Sequence, residues 1–160
     1  MIKVGLGGGC HWCTEAVFQA LIGVANVQAG WLASIDDPLK FSEGVIVSFA
    51  PIEIDLETLI DIHTLTHSSS SNHSMRTKYK SAIYSFNELQ LAEVTEILAR
   101  KNNLLTDKLV VENLNYAGFK PVGENYENYY QNNSEGQFCT RYIEPKLKKI
   151  LKQHSQFVKT

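Results

Sequence analysis

Three consecutive glycines, Gly7 to Gly9, separate an apolar opening run from a segment whose apolar residues recur at helical spacing. Ile2 to Leu6 alternates around β-forming residues and stops at Gly7, which reads as a short buried strand. Trp12, Ala16, Val17, Ala20 and Leu21 share one helical stripe, and Gly23 just beyond them fits a C-cap. The glycines therefore form a strand-to-helix turn, and Cys10 stands on it with Cys13 three residues later.

The remaining elements follow the same rules. Val24 to Trp31 and Gly44 to Phe49 read as paired antiparallel strands joined by a loop through "DDPLK" at 36–40. Asp55 to His63 reads as a helix with Asp55 as N-cap, and 66–77, "THSSSSNHSMRT", as a long polar loop. Ser81 to Phe86 is a predicted strand, Asn87 to Lys101 an amphipathic helix and Lys108 to Leu114 a strand. A short tyrosine-bearing helix over 123–131 and a basic helix over 138–154 complete the chain. This order predicts an α+β fold: one two-layer domain, 1–160, with a mixed, mainly antiparallel sheet, a central βαβ unit of ferredoxin-like type and a C-terminal extension from 132.

Composition enters by exclusion. With 160 residues, 44% hydrophobic and 20% charged, the chain can bury a core without disulfide staples, and a formal charge of -2 leaves no basic footprint for nucleic acid. Three cysteines, an odd count, argue for reduced working thiols and a cytoplasmic setting. The opening run is too short for a secretory segment and no stretch reaches the length of a membrane span. Neither nucleic acid nor membrane is an expected partner, and a monomer is expected.

A cysteine attacks as its thiolate, and a free thiol near pKa ~8.5 is mostly protonated at neutral pH. A helix N-terminus favours the thiolate through unpaired N–H groups and the positive end of the dipole, and glycines before it allow a partner to approach closely. Cys10 sits at that end, and Cys13 lies one helical turn along, where it could capture an oxidised Cys10 as a disulfide. Trp12 and His11 between them could equally be a core ring and a surface residue.

The stretch "GGCHWCTEAVFQALIGV" resembles the active-site turn of the peptide methionine sulfoxide reductase A family, Gly-Cys-Phe-Trp followed by Cys or Gly, an acidic residue and an amphipathic helix. Five further segments resemble the family in order. They are "NVQAGW", "FSEGVIVSFAP", "LIDIHTLTH", "TKYKSAIYSFNELQ" and "GENYENYY", and the likeness runs from about Val4 to Tyr130.

The resemblance implies reduction of methionine S-sulfoxide, free or in proteins, and with it protein repair under oxidative stress. Cys10 matches the nucleophile. A carboxylic acid in a dry site supplies the proton that leaves with oxygen, and Glu43 matches it, although its local sequence also fits a solvated carboxylate before a strand. Tyr79 matches a hydroxyl donor to the sulfoxide oxygen, and Trp12 the ring against the substrate methyl. The resulting sulfenic acid is resolved by Cys13, or by Cys139 on a C-terminal tail, and no bound cofactor is implied. Thioredoxin or another external dithiol recycles the disulfide.

The pattern also breaks. His11 replaces a phenylalanine of the methyl pocket, Trp31 stands where a second sulfoxide-facing tyrosine is expected, and Ser74 where an aspartate holds substrate backbone. The serine-rich loop is shortened and the glycine-rich segment before Glu43 is mostly missing. Three alternatives remain open at this level. One is a thioredoxin-like C-x-x-C dithiol oxidoreductase. Another is a zinc module using Cys10, Cys13 and some of His63, His67 and His73. The third is a catalytically degenerate member that only binds an oxidised side chain.

Overall fold

The computed structural model describes residues 1–7, 11–65, 82–104, 111–122, 152 and 154–158. Five strands and three helices follow in the order β1 (Ile2–Gly7), α1 (His11–Gln19), β2 (Val24–Ser34), β3 (Asp37–Phe49), α2 (Leu56–Leu65), β4 (Ala82–Ser85), α3 (Glu88–Leu104) and β5 (Glu112–Pro121). Every strand pair is antiparallel except β4 with β5, so the predicted mixed, mainly antiparallel α+β sheet is present. The strands close into a ring in the order β1-β3-β2-β5-β4.

Closure gives the sheet two buried faces. Val4, Leu6, Val27, Ala29, Val45, Val47 and Ile83 turn outward to meet Val17 and Phe18 of α1, Leu21 just beyond it, Leu59, Ile60 and Ile62 of α2, and Val94, Ile97 and Leu98 of α3. Leu32, Ile46, Ala82 and Tyr84 form a second cluster on the opposite, inner face. Five strands leave little room inside, and glycines supply it: a Cβ on Gly5 would lie 2.8 Å from Cβ of Tyr84.

The start of α2 is capped as its sequence predicts, and α3 carries a cap that the sequence reading did not name. Asp55 Oδ1 accepts the Thr58 N–H at 2.8 Å at the start of α2. At α3, Asn87 Oδ1 accepts the Gln90 N–H and Gln90 Oε1 accepts the Phe86 N–H, both at 2.8 Å, a capping box. Gln90 Nε2 also donates to the Lys3 carbonyl at 2.9 Å, tying α3 to β1. Beyond α1, Gly23 has φ of +90°, the left-handed conformation expected of its capping position.

Two expectations need correction. Residues 37–40, read as a loop, belong to β3, because β2 and β3 run on to a tight turn at Ile35 and Asp36 with Ser34 paired to Asp37. Pro38 is tolerated there since β1 ends opposite Gly44 and leaves the first part of β3 paired on one side only among the described residues. The last strand is also displaced, from the predicted 108–114 to Glu112–Pro121. Its Asn and Gly content reads locally as turn, but residues 112–115 pair with β4 and 116–121 with β2, and that double pairing imposes extension.

The predicted helix over 123–131 lies outside the described residues, as does most of the one over 138–154, although Lys152 is helical. A 3-10 turn, Ser155–Phe157, follows. There the Phe157 carbonyl accepts the Ile22 N–H at 2.6 Å and Val158 bridges Leu21, so the C-terminal segment is fastened beside the end of α1.

Candidate active site

Gly7 is a junction between strands whose neighbours in sequence include several candidate residues. As the last residue of β1 it pairs with Gly44 on one side and Ala82 on the other. Gly44 follows Glu43, Ala82 opens β4 three residues after Tyr79, and Cys10 comes three residues after Gly7. Three residues span at most ~11 Å, so Cys10 and Tyr79 are tethered closely to the same end of the sheet that presents Glu43. Cys10, Ser74, Tyr79 and Cys139 themselves lie outside the described residues, and for His11, Trp12 and Cys13 only the helical backbone is described.

Glu43 is 7% exposed on β3, on the face that also carries Val45 and Val47. The reading of it as a solvated carboxylate is therefore wrong: strand pairing on both sides of Gly44 holds its neighbour inside. Directly opposite on β2 stands Trp31, partly buried against the outer core. Lys120, which pairs with Trp31 from β5, directs its ammonium over the Phe41 ring at 4.4 Å from the centroid.

Helix α1 begins at His11, immediately after Cys10, with no acidic side chain in its first turn. Within that turn no side-chain carboxylate offsets the positive end of the dipole. Downstream, Thr14 and Glu15 are buried at 7% and 1% exposure.

One residue, named from the sequence only as a possible zinc ligand, is built into this region. His63, in the last turn of α2 and 1% exposed, lies with Nε2 2.7 Å from the Gly7 carbonyl oxygen. A carbonyl only accepts, so Nε2 carries the hydrogen. The signal was available: His63 sits four residues after Leu59 and three after Ile60, on the buried stripe of α2.

Among the described residues no group of three or more His, Cys, Asp or Glu could hold a metal ion, and no helix is long and apolar enough to cross a membrane.

Against this geometry, the family profile described as peptide methionine sulfoxide reductase matches residues 3–158. The chain belongs to that family. It is an oxidoreductase of the peptide-methionine (S)-S-oxide reductase type. The peptide methionine sulfoxide reductase MsrA of Ruthia magnifica subsp. Calyptogena magnifica is 30% identical over 91% of this chain and 96% of its own length. The fold is similar to that of reduced Mxr1 from Saccharomyces cerevisiae, with a TM-score of 0.75 at 20% identity, covering 86% of this chain and 88% of that one. It is also similar to Mxr1 in complex with Trx2, with a TM-score of 0.62 at 18% identity over 80% and 84% of the two chains. Within this member of the reductase family, Glu43 holds a buried sheet position with Trp31 directly across from it.

Proposed function

We propose that the chain reduces methionine S-sulfoxide, free or in proteins, with Cys10 as nucleophile and Glu43 as proton donor. The observation that carries this reading is the pairing of Gly7 with both Gly44 and Ala82, which brings the tethers of Cys10 and Tyr79 to the buried Glu43. The Cys10 thiolate attacks the sulfoxide sulfur and forms an S–S bond while the sulfoxide oxygen takes up a proton; the S–O and S–S bonds then break as the hydroxyl passes to the Cys10 sulfur, which releases methionine and leaves Cys10 as a sulfenic acid. Tyr79 donates to the sulfoxide oxygen as charge develops on it.

Cys13 then attacks the sulfenic sulfur, releasing water and forming a disulfide, with Cys139 as the other candidate for this step. An external dithiol takes up the disulfide and is itself oxidised. The yeast relative's complex with Trx2 supports thioredoxin in that role. His11, Trp12, Trp31 and Ser74 are assigned to substrate recognition, where departures from the family pattern would act on specificity.

The test is reduction of racemic methionine sulfoxide, free and N-blocked, with dithiothreitol as electron source and chiral analysis of the residue. Selective loss of the S epimer is expected. Persistence of both epimers, with Cys10 reduced and open to alkylation, would sink the reading.

A further inference from the structure

We propose that His63 is a positioning residue for the nucleophile: by holding the Gly7 carbonyl, it sets where the glycine turn bearing Cys10 leaves the sheet. This rests on the reading of Cys10 as nucleophile given above.

The argument is one of anchoring. Gly8 and Gly9 have no side chains with which to pack, so the placement of Cys10 falls to the flanks of the turn, which are Gly7 and the start of α1. Gly7 is fixed laterally by its two strand partners. His63 reaches it from a third direction, bridging 56 positions in sequence with a 2.7 Å bond in a site closed to water. An imidazole N–H that is 1% exposed would cost free energy without an acceptor, so the ring and the carbonyl hold each other. Hydrogen bonds that orient a reacting group in this way commonly affect activity about 10- to 100-fold although they touch no substrate.

The test uses a Cys13→Ser, Cys139→Ser background, in which Cys10 is the only thiol. Alkylation of Cys10 by iodoacetamide is measured as a function of pH, and single-turnover sulfoxide reduction as a function of sulfoxide concentration. His63→Phe, which keeps a ring but loses the donor, is expected to slow both by ~10-fold while half-saturation by sulfoxide stays within about twofold. His63→Gln, whose amide can donate, is expected to recover most of that loss. If the Phe variant does not fold, His63→Met takes its place. Unchanged rates in the Phe or Met variant would overturn the inference. So would a Gln variant that melts like its parent yet is as slow as the Phe variant. If the parent reduces no sulfoxide but the alkylation difference between Phe and Gln persists, the reductase reading falls and the role of His63 stands.

Discussion

Trp31 and Glu43 face each other across the β2–β3 ladder, one residue from the Gly30–Gly44 pair that links the ladder to the end of β1. Directly opposed residues have Cβ atoms about 4.5–5.5 Å apart, so the indole and the carboxylate share one patch of the outer face. Glu43, the proposed proton donor, and Trp31 are thus coupled by backbone register. Substitutions at either one report on the same piece of the site.

Glu43→Gln keeps shape and burial but removes the proton. Turnover is expected to fall by about 10²-fold with a melting temperature near that of the parent, measured with dithiothreitol as reductant. Trp31→Tyr restores the family's residue and is expected to raise kcat/KM for methionine sulfoxide. A drop in kcat/KM would show that the indole is the better partner of this pocket.

Cys13→Ser and Cys139→Ser separate the two routes of resolution. The Cys13 variant is expected to complete one turnover and then stop with thioredoxin as reductant, while the Cys139 variant continues to cycle. Mass spectrometry of the oxidised chain, read for a Cys10–Cys13 link, checks it independently; sustained cycling without Cys13 would transfer the role to Cys139.

Asp55→Ala removes the cap of α2 and is expected to cost about 1 kcal/mol at neutral pH in urea unfolding. The hydrogen bonds from Thr58 hold the Asp55 carboxyl below its usual value of 3.8. The folded state therefore binds the Asp55 proton less readily than the unfolded chain. The contribution is present above 3.8 and is lost as pH falls through the lower folded value. The stability gap between parent and variant should narrow in that acid range and stay constant above it.

Tyr84 makes the opposite prediction at alkaline pH. Burial inside the ring pushes its hydroxyl up from 10.0 to about 12, Glu112 adds to the rise, and a hydrogen bond with Ser42 works against it. With the folded value above the unfolded one, its contribution is intact below pH 10 and is lost as pH rises toward 12. Two units correspond to about 3 kcal/mol at most, so Tyr84→Phe should lose less stability over that range than the parent. Parallel alkaline unfolding curves for the two would show that the ring interior admits water.

Gly30→Ala tests how tightly the ring is closed. A Cβ there would fall 2.2 Å from the Lys120 carbonyl oxygen and 2.7 Å from the Phe119 ring, so β2 and β5 would have to part. A loss of about 1–3 kcal/mol in urea unfolding is expected.

By itself the sequence determined most of the local elements and the family. The alternation of Ile2 to Leu6, the glycine run, the helical stripe of α1 and the cap at Asp55 are short-range signals, read from neighbours within a turn or two. The order of motifs around Cys10 named the family for the same reason. Only the tertiary structure decided that the strands close into a ring, that the last strand runs to Pro121 through residues of poor β-propensity, that Glu43 is buried and that His63 reaches Gly7. Each of these depends on partners tens of residues away. A strand's pairing energy and a side chain's burial are properties of the elements beside it, and no local window contains them.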